Sequence, residues 1–176
     1  MILSLGSNLE DRRAHLEGGL RALVEVLTLE RVSRVVESPP WGPVLQPHYL
    51  NVLVRGGTVS APGALLAELH GIEEAAGRAR GVRFGPRTLD IDIIFFGEIR
   101  MRTPTLTIPH PRWRARGFVH GLLPDVAVGM ADPVTGESLD RDPPGAPLPE
   151  GLREVDPLAI PGSVARPPRS VREDGP

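Results

Sequence analysis

The chain contains no cysteine, which excludes disulfides, thiolate metal sites and cysteine nucleophiles. It has no lysine either, since its 20 basic residues are all arginine. A Walker-type phosphate loop and Schiff-base chemistry both require that amine, so neither is open to it. No apolar run approaches the length of a membrane span. Met1 leads directly into "ILSLGSN", without a basic or long apolar leader region. No export signal is therefore read, and the cytoplasm is the expected address. A formal net charge of −2 argues against a general nucleic-acid binder.

What is present fits a soluble globular domain. The 176 residues are 40% hydrophobic and 24% charged, enough to bury a real core. Charge is unevenly spread. Between Arg78 and Arg116 nine arginines face three acids, Asp90, Asp92 and Glu98. Arginine favours bidentate contacts to phosphate or carboxylate, although scattered arginines are more often a solvated face.

Periodicity outlines the elements. "ILSLG" reads as a short strand, and Ser7 with Glu10 has capping-box spacing. Leu16, Leu20, Leu23 and Leu27 then mark a helix over about residues 8–27. "ERVSRVVES" reads as one strand and the proline-rich "PPWGPVLQP" as a semi-rigid loop. In "HYLNVLVRGGT" Leu50, Val52 and Val54 face one way, and Tyr49, Asn51 and Leu53 the other. Residues 60–77 form a second helix with Leu65, Leu69, Ile72 and Ala76 buried, and a short helix is expected around "RARGFVHGLL". The order strand–helix–strand–strand–helix–strand predicts an α+β, ferredoxin-like split βαβ fold. Its antiparallel sheet carries helices on one face and leaves the other free for an active site. The domain is expected over 1–131. Residues 132–176, rich in proline and glycine, are expected to be an extended or disordered tail.

The stretch "LDIDIIFF" sets two carboxylates inside an apolar strand. If Leu89, Ile91, Ile93 and Phe95 point at the helices, Asp90 and Asp92 point to the open face beside Tyr49 and Asn51. Their backbone positions lie roughly 7 Å apart, and a buried unpaired carboxylate is costly. A pair of hard cations between these acids and a phosphate compensates that cost, because Mg²⁺ needs only one or two protein carboxylates. With the arginines just upstream, the pattern suits a metal–nucleotide site for phosphoryl transfer.

"GPRTLDIDIIFFG" closely resembles the signature of the 6-hydroxymethyl-7,8-dihydropterin pyrophosphokinases of folate biosynthesis. "LGSNL", "SPPWGPVLQPHYLN", "GRARGVRFGPRTLDIDIIFFG" and "LTIPHPRWRARGFV" follow in that family's order, so the likeness covers about residues 2–128. The resemblance implies Mg²⁺-dependent transfer of pyrophosphate from ATP to the pterin alcohol, giving AMP. It implies that Asp90 and Asp92 bind two Mg²⁺ ions and that Arg78, Arg80 and Arg87 meet the triphosphate as catalytic groups. His70, Glu73, Phe84, Ile93, Leu106, Thr107, His110 and Arg116 would lie around the ATP. Tyr49 and Phe118 would sandwich the pterin, Asn51 would bond its edge, and Ser38, Pro39, Pro40 and Trp41 would complete its pocket. The implied partners are these small molecules alone, with neither nucleic acid nor membrane, and a monomer is expected.

Each role has its own chemistry. Stacking suits a flat heterocycle, and an amide offers both donor and acceptor to a ring edge. Taken singly, Tyr49 and Phe118 are more often core packing, and His110, between prolines, is usually a loop residue. The chain departs from the family in a loop one residue shorter before Gly85, in Phe84 where tryptophan is frequent, and in Thr105 where some members carry arginine. Apart from the resemblance, two alternatives stand: another Mg²⁺-dependent nucleotidyl or phosphoryl transferase, and a non-catalytic ferredoxin-like binding module.

Overall fold

A computed structural model describes residues 1–40, 45–78, 85–162 and 164–165. Strand β1 (Ile2–Ser7) leads into helix α1 (Arg12–Leu23), and β2 (Thr28–Val32), β3 (Val35–Ser38) and β4 (Tyr49–Gly57) follow. Helix α2 (Pro62–Ala75) precedes β5 (Asp90–Phe95) and the small hairpin of β6 (Met101–Arg102) and β7 (Thr107–Ile108). Helix α3 (Gly117–Val126) and β8 (Arg153–Val155) complete the order. The main sheet runs β5-β1-β4-β3-β8, with β2 also paired to β4, and its pairings are antiparallel. Two helices packed on such a sheet make the expected ferredoxin-like α+β fold.

The alternation in β4 and β5 sorts the faces. Leu3, Leu5, Leu50, Val52, Val54, Ile91 and Ile93 join Leu16, Leu20, Leu65 and Leu69 in one core beneath α1 and α2. The opposite face is only partly open, which corrects the expectation of a free surface. There α3 covers Ile2, Leu53, Ile94 and Phe95 with Val119, Leu122 and Val126. Phe95 is thus on the far side from Ile91 and Ile93. Opposite Ile2 and Leu3 the partners are Phe95 and Ile93, so β5 carries one extra residue there. Such a bulge reverses the alternation.

Local chemistry moves other boundaries. Helix α1 starts later than its leucine period suggests. Asp11, rather than Ser7 with Glu10, is its cap and accepts from Ala14 N at 3.0 Å. Glu10 has φ 51°, outside helical geometry. "ERVSRVVES" divides into β2 and β3 because Ser33 and Arg34 turn inward. The Ser33 hydroxyl accepts from Leu53 N at 2.9 Å, and both Arg34 N and Nε donate to the buried Asp125 carboxylate.

The described part of the segment after Asp132 is docked, not free. Val35–Glu37 of β3 pair with Arg153–Val155 of β8, Leu139 and Leu158 are buried, and Arg153 Nη2 donates to Glu37 at 2.6 Å. Arg153 and Arg12 together hold the Glu37 carboxyl below its usual range.

Gly56 of β4 lies opposite Leu29 at the start of β2. A Cβ there would stand 2.7 Å from the Thr28 carbonyl oxygen and 2.7 Å from a Leu27 methyl. Gly56→Ala is expected to destabilise the chain by about 1–3 kcal/mol. A lower urea midpoint with unchanged slope checks it.

Candidate functional site: an acidic pair between two cavities

The site grows from the ends of β1, β4 and β5 and from the connections around them. Asn8, buried just after β1, acts as a clamp. Its Oδ1 accepts from Arg87 N at 2.8 Å, and its Nδ2 donates to Gln46 Oε1 at 2.9 Å and to Pro47 O at 3.1 Å. This fixes the backbone of Arg87 against the loop that enters β4. Nothing in the periodicity singles out Asn8; its polarity next to a buried strand in "LGSNL" was the available signal.

Asp90 and Asp92 both leave β5 on the face away from α1 and α2. They keep 21% and 27% side-chain exposure. Asp90 is held by Arg87 and by Arg78 Nη1 at 3.2 Å. Asp92 accepts from Arg116 Nη1 at 2.5 Å, with His110 Nε2 at 4.0 Å. Burial and the adjacent Asp92 charge push the Asp90 carboxyl up. Burial acts in the same sense on Asp92, but Arg116 and His110 outweigh it and hold that carboxyl low. Two carboxylates in one site resist ionising together, and a bound cation relieves this.

Two cavities meet at this pair. One, of about 400 Å³, is lined by Ser38, Pro39, Pro40, Tyr49, Asn51 and Phe118. The other, of about 300 Å³, lies between α2 and the β6–β7 hairpin and is lined by His70, Glu73, Arg78, Ile93, Leu106 and Thr107. Asp90, Asp92 and His110 line both, while Arg87 and Arg116 open into the first. Trp41, Arg80 and Phe84 lie outside the described residues.

In the first cavity Asn51 Nδ2 donates to Ser38 Oγ at 2.8 Å, across the Ser38–Tyr49 end of the β3–β4 ladder. Its Oδ1 is turned towards Gly6, where a Cβ would come within 3.1 Å. That leaves an acceptor for a ring-edge donor. Tyr49 is half-buried, and burial followed by the Asp90 charge raises its hydroxyl pKa, so the ring stays neutral.

In the second cavity Glu73 is buried at 2% side-chain exposure, accepts from Ile91 N at 2.7 Å and pairs with Arg78. Burial pushes its carboxyl up to about 7 in spite of that pairing. The ring of His110 accepts from Arg112 N at Nδ1, 3.2 Å away, so its other nitrogen carries the proton of the neutral form. Burial lowers its pKa against the pull of Asp92. Neutral at pH 7, it presents an N–H donor beside the acids.

The donor set suits a hard cation. Both groups are carboxylates, both face cavities, and among the described residues no cluster of three or more His, Asp or Glu could hold a metal by itself. Mg²⁺ completes its shell with water and substrate phosphate, so two carboxylates fit it. Periodicity and motif both missed Gln46 and Arg112, and also Glu150, Gly151 and Leu152, which line the first cavity from the far end of the chain.

Comparison with known proteins gives the family. Residues 2–128 match the model of the 7,8-dihydro-6-hydroxymethylpterin-pyrophosphokinase family. A 2-amino-4-hydroxy-6-hydroxymethyldihydropteridine pyrophosphokinase of Pseudomonas aeruginosa is 39% identical over 152 residues, covering 85% of this chain and 88% of that protein. A mitochondrial folate synthesis bifunctional protein of Pisum sativum is 37% identical over 127 residues, 72% of this chain. The chain spans only 25% of that longer relative. Among solved structures, a Plasmodium falciparum HPPK-DHPS chain superposes with a TM-score of 0.59 at 15% identity, covering 78% of this chain and 42% of that one. At that identity the likeness speaks for the fold alone. The family match, the substantial identity to the bacterial relative and the acids set between two cavities lead to one conclusion: this chain belongs to the 7,8-dihydro-6-hydroxymethylpterin-pyrophosphokinase family.

Proposed function

We propose that the chain transfers the pyrophosphoryl group of ATP to 6-hydroxymethyl-7,8-dihydropterin in folate biosynthesis, with Mg²⁺ as cofactor. The observation that carries this reading is the sharing of Asp90 and Asp92 by two cavities of different character. The aromatic one takes the pterin between Tyr49 and Phe118, with Asn51 at the ring edge. The one beside His70, Glu73, Leu106 and Thr107 takes the nucleotide. The reading carries with it a monomer working in the cytoplasm on small soluble substrates.

The hydroxymethyl oxygen attacks the β-phosphorus in line. The bond from that phosphorus to the oxygen bridging the α-phosphorus breaks, AMP leaves with the bridging oxygen, and the hydroxyl proton passes to solvent. Asp90 and Asp92 would hold two Mg²⁺ ions, which when bound neutralise phosphate charge. Arg87 and Arg116, kept oriented by the two aspartates, offer guanidinium donors to the phosphoryl oxygens as charge redistributes. His110 donates a hydrogen bond and is no general base in this tautomer. Catalysis thus rests on positioning and electrostatics.

Mixing the chain with ATP, Mg²⁺ and the pterin alcohol is expected to release AMP. Release of ADP instead would make it a different phosphoryl transferase. Arg87→Ala is expected to lower kcat by about a hundredfold and pterin affinity by far less. Equal losses in both would remove Arg87 from the chemistry.

A further inference from the structure

The family match ends at residue 128, yet one wall of the aromatic cavity comes from later in the chain. Glu150, Gly151 and Leu152 line it together with Tyr49, Asn51 and Phe118. We infer that the 148–152 segment is a third wall of the pterin pocket and that Leu152 is a specificity-determining residue for the heterocycle. This deepens the functional reading above and rests on it.

The wall is anchored at both ends. Upstream, Gly145 N donates to Asp125 Oδ1 at 3.0 Å, and Arg34 Nη1 donates to Ala146 O at 3.0 Å. Arg34 and Asp125 are themselves buried, so this anchor is not a mobile surface contact. Downstream, β8 continues directly from Leu152 and pairs with β3, reinforced by the Arg153–Glu37 bond.

Between its anchors the segment lies against α3. A Cβ on Gly121 would stand 2.8 Å from Pro149 Cδ, 3.2 Å from Leu152 Cδ1 and 3.3 Å from Leu148 Cδ2. Gly121 is three residues after Phe118, hence on the same helix face. Leu152 and Phe118 thus line the same cavity from neighbouring positions along α3. Leu152 is half-buried with cavity on one side, as an apolar contact completed by a ligand would be. A flat bicyclic ring held between Tyr49 and Phe118 has its faces covered; Leu152 adds an apolar stop beside them and limits how bulky a substituted ring can be.

The test compares wild type with Leu152→Ala in steady-state kinetics. Leu152→Ala is expected to raise KM for the pterin alcohol roughly five- to tenfold, leaving KM for ATP within about twofold. A merely structural role would move both or neither. Hydrogen exchange on the wild-type chain gives an independent readout, should the variant fold poorly. Adding the pterin alcohol with a non-hydrolysable ATP analogue is expected to slow exchange at Gly151 and Leu152. Wild-type turnover with an unmoved pterin KM in Leu152→Ala, or with unchanged exchange at these amides, overturns the wall and leaves the enzyme reading intact. Failure of the wild-type chain to bind or convert the pterin alcohol overturns the enzyme reading itself.

Discussion

Asp92→Ala is expected to lower AMP formation by about a thousandfold or more, the largest effect on activity of any single change at this site. Asp92 is one of the few side chains that both cavities share, and Arg116 donates to it at 2.5 Å. Removing the carboxylate releases Arg116 from its orientation and leaves a cation only Asp90 to bind. The loss is of charge rather than shape, so Asp92→Asn should fall nearly as far. Chelation of divalent cations should do the same to the wild type, with recovery on adding Mg²⁺. The fold should survive, because the Asp92 side chain keeps 27% exposure and opens to cavities rather than core. A loss of less than tenfold in a folded Asp92→Ala chain would show that transfer does not happen at this pair.

Asp125→Ala is expected to destabilise the chain more than Gly56→Ala or any of the cavity substitutions, by about 3–5 kcal/mol. Asp125 on α3 is fully buried, and Arg34 between β2 and β3 is 3% exposed. One carboxylate oxygen accepts from Arg34 N at 2.9 Å and Nε at 3.0 Å, and the other accepts from Gly145 N. Without it a guanidinium remains buried and only partly satisfied. For a chain of this size the melting temperature should fall by roughly 6–20 °C, readable by calorimetry. The double change Arg34→Met with Asp125→Leu should recover much of that loss, since removing both charges leaves neither stranded. Recovery would separate a buried-charge penalty from a simple packing defect.

The contrast between these residues shows what could be read in advance. The period of two in β4 and β5 placed Tyr49, Asn51, Asp90 and Asp92 on one face, and the structure keeps them there because both faces of those strands are specified by burial. The same rule failed at Phe95, where one extra residue in β5 reverses the side, a change set by pairing with β1 and invisible in β5 alone. The helix start failed because a capping-box spacing at Ser7 and Glu10 competes with Asp11, and only backbone geometry decides between them. Arg34 falls inside a stretch that reads as one strand, and its partner Asp125 lies 91 residues away. The wall at 148–152 had no local signal, since proline- and glycine-rich composition describes an extended course and says nothing of where it docks.

Strand β8 has a consequence beyond the pocket. An unpaired strand at a sheet margin invites another chain to add to it, the usual route to fibrils and swapped dimers. On the β5 side Glu73 already occupies the Ile91 N–H, and on the β3 side three short residues, two of them charged, take the place of an intruder. Displacing β8 should therefore be felt first as concentration-dependent turbidity on storage. On the reading proposed for 148–152, the stretch that would shape the ligand chamber runs on into the strand that would also deny β3 to a neighbouring molecule.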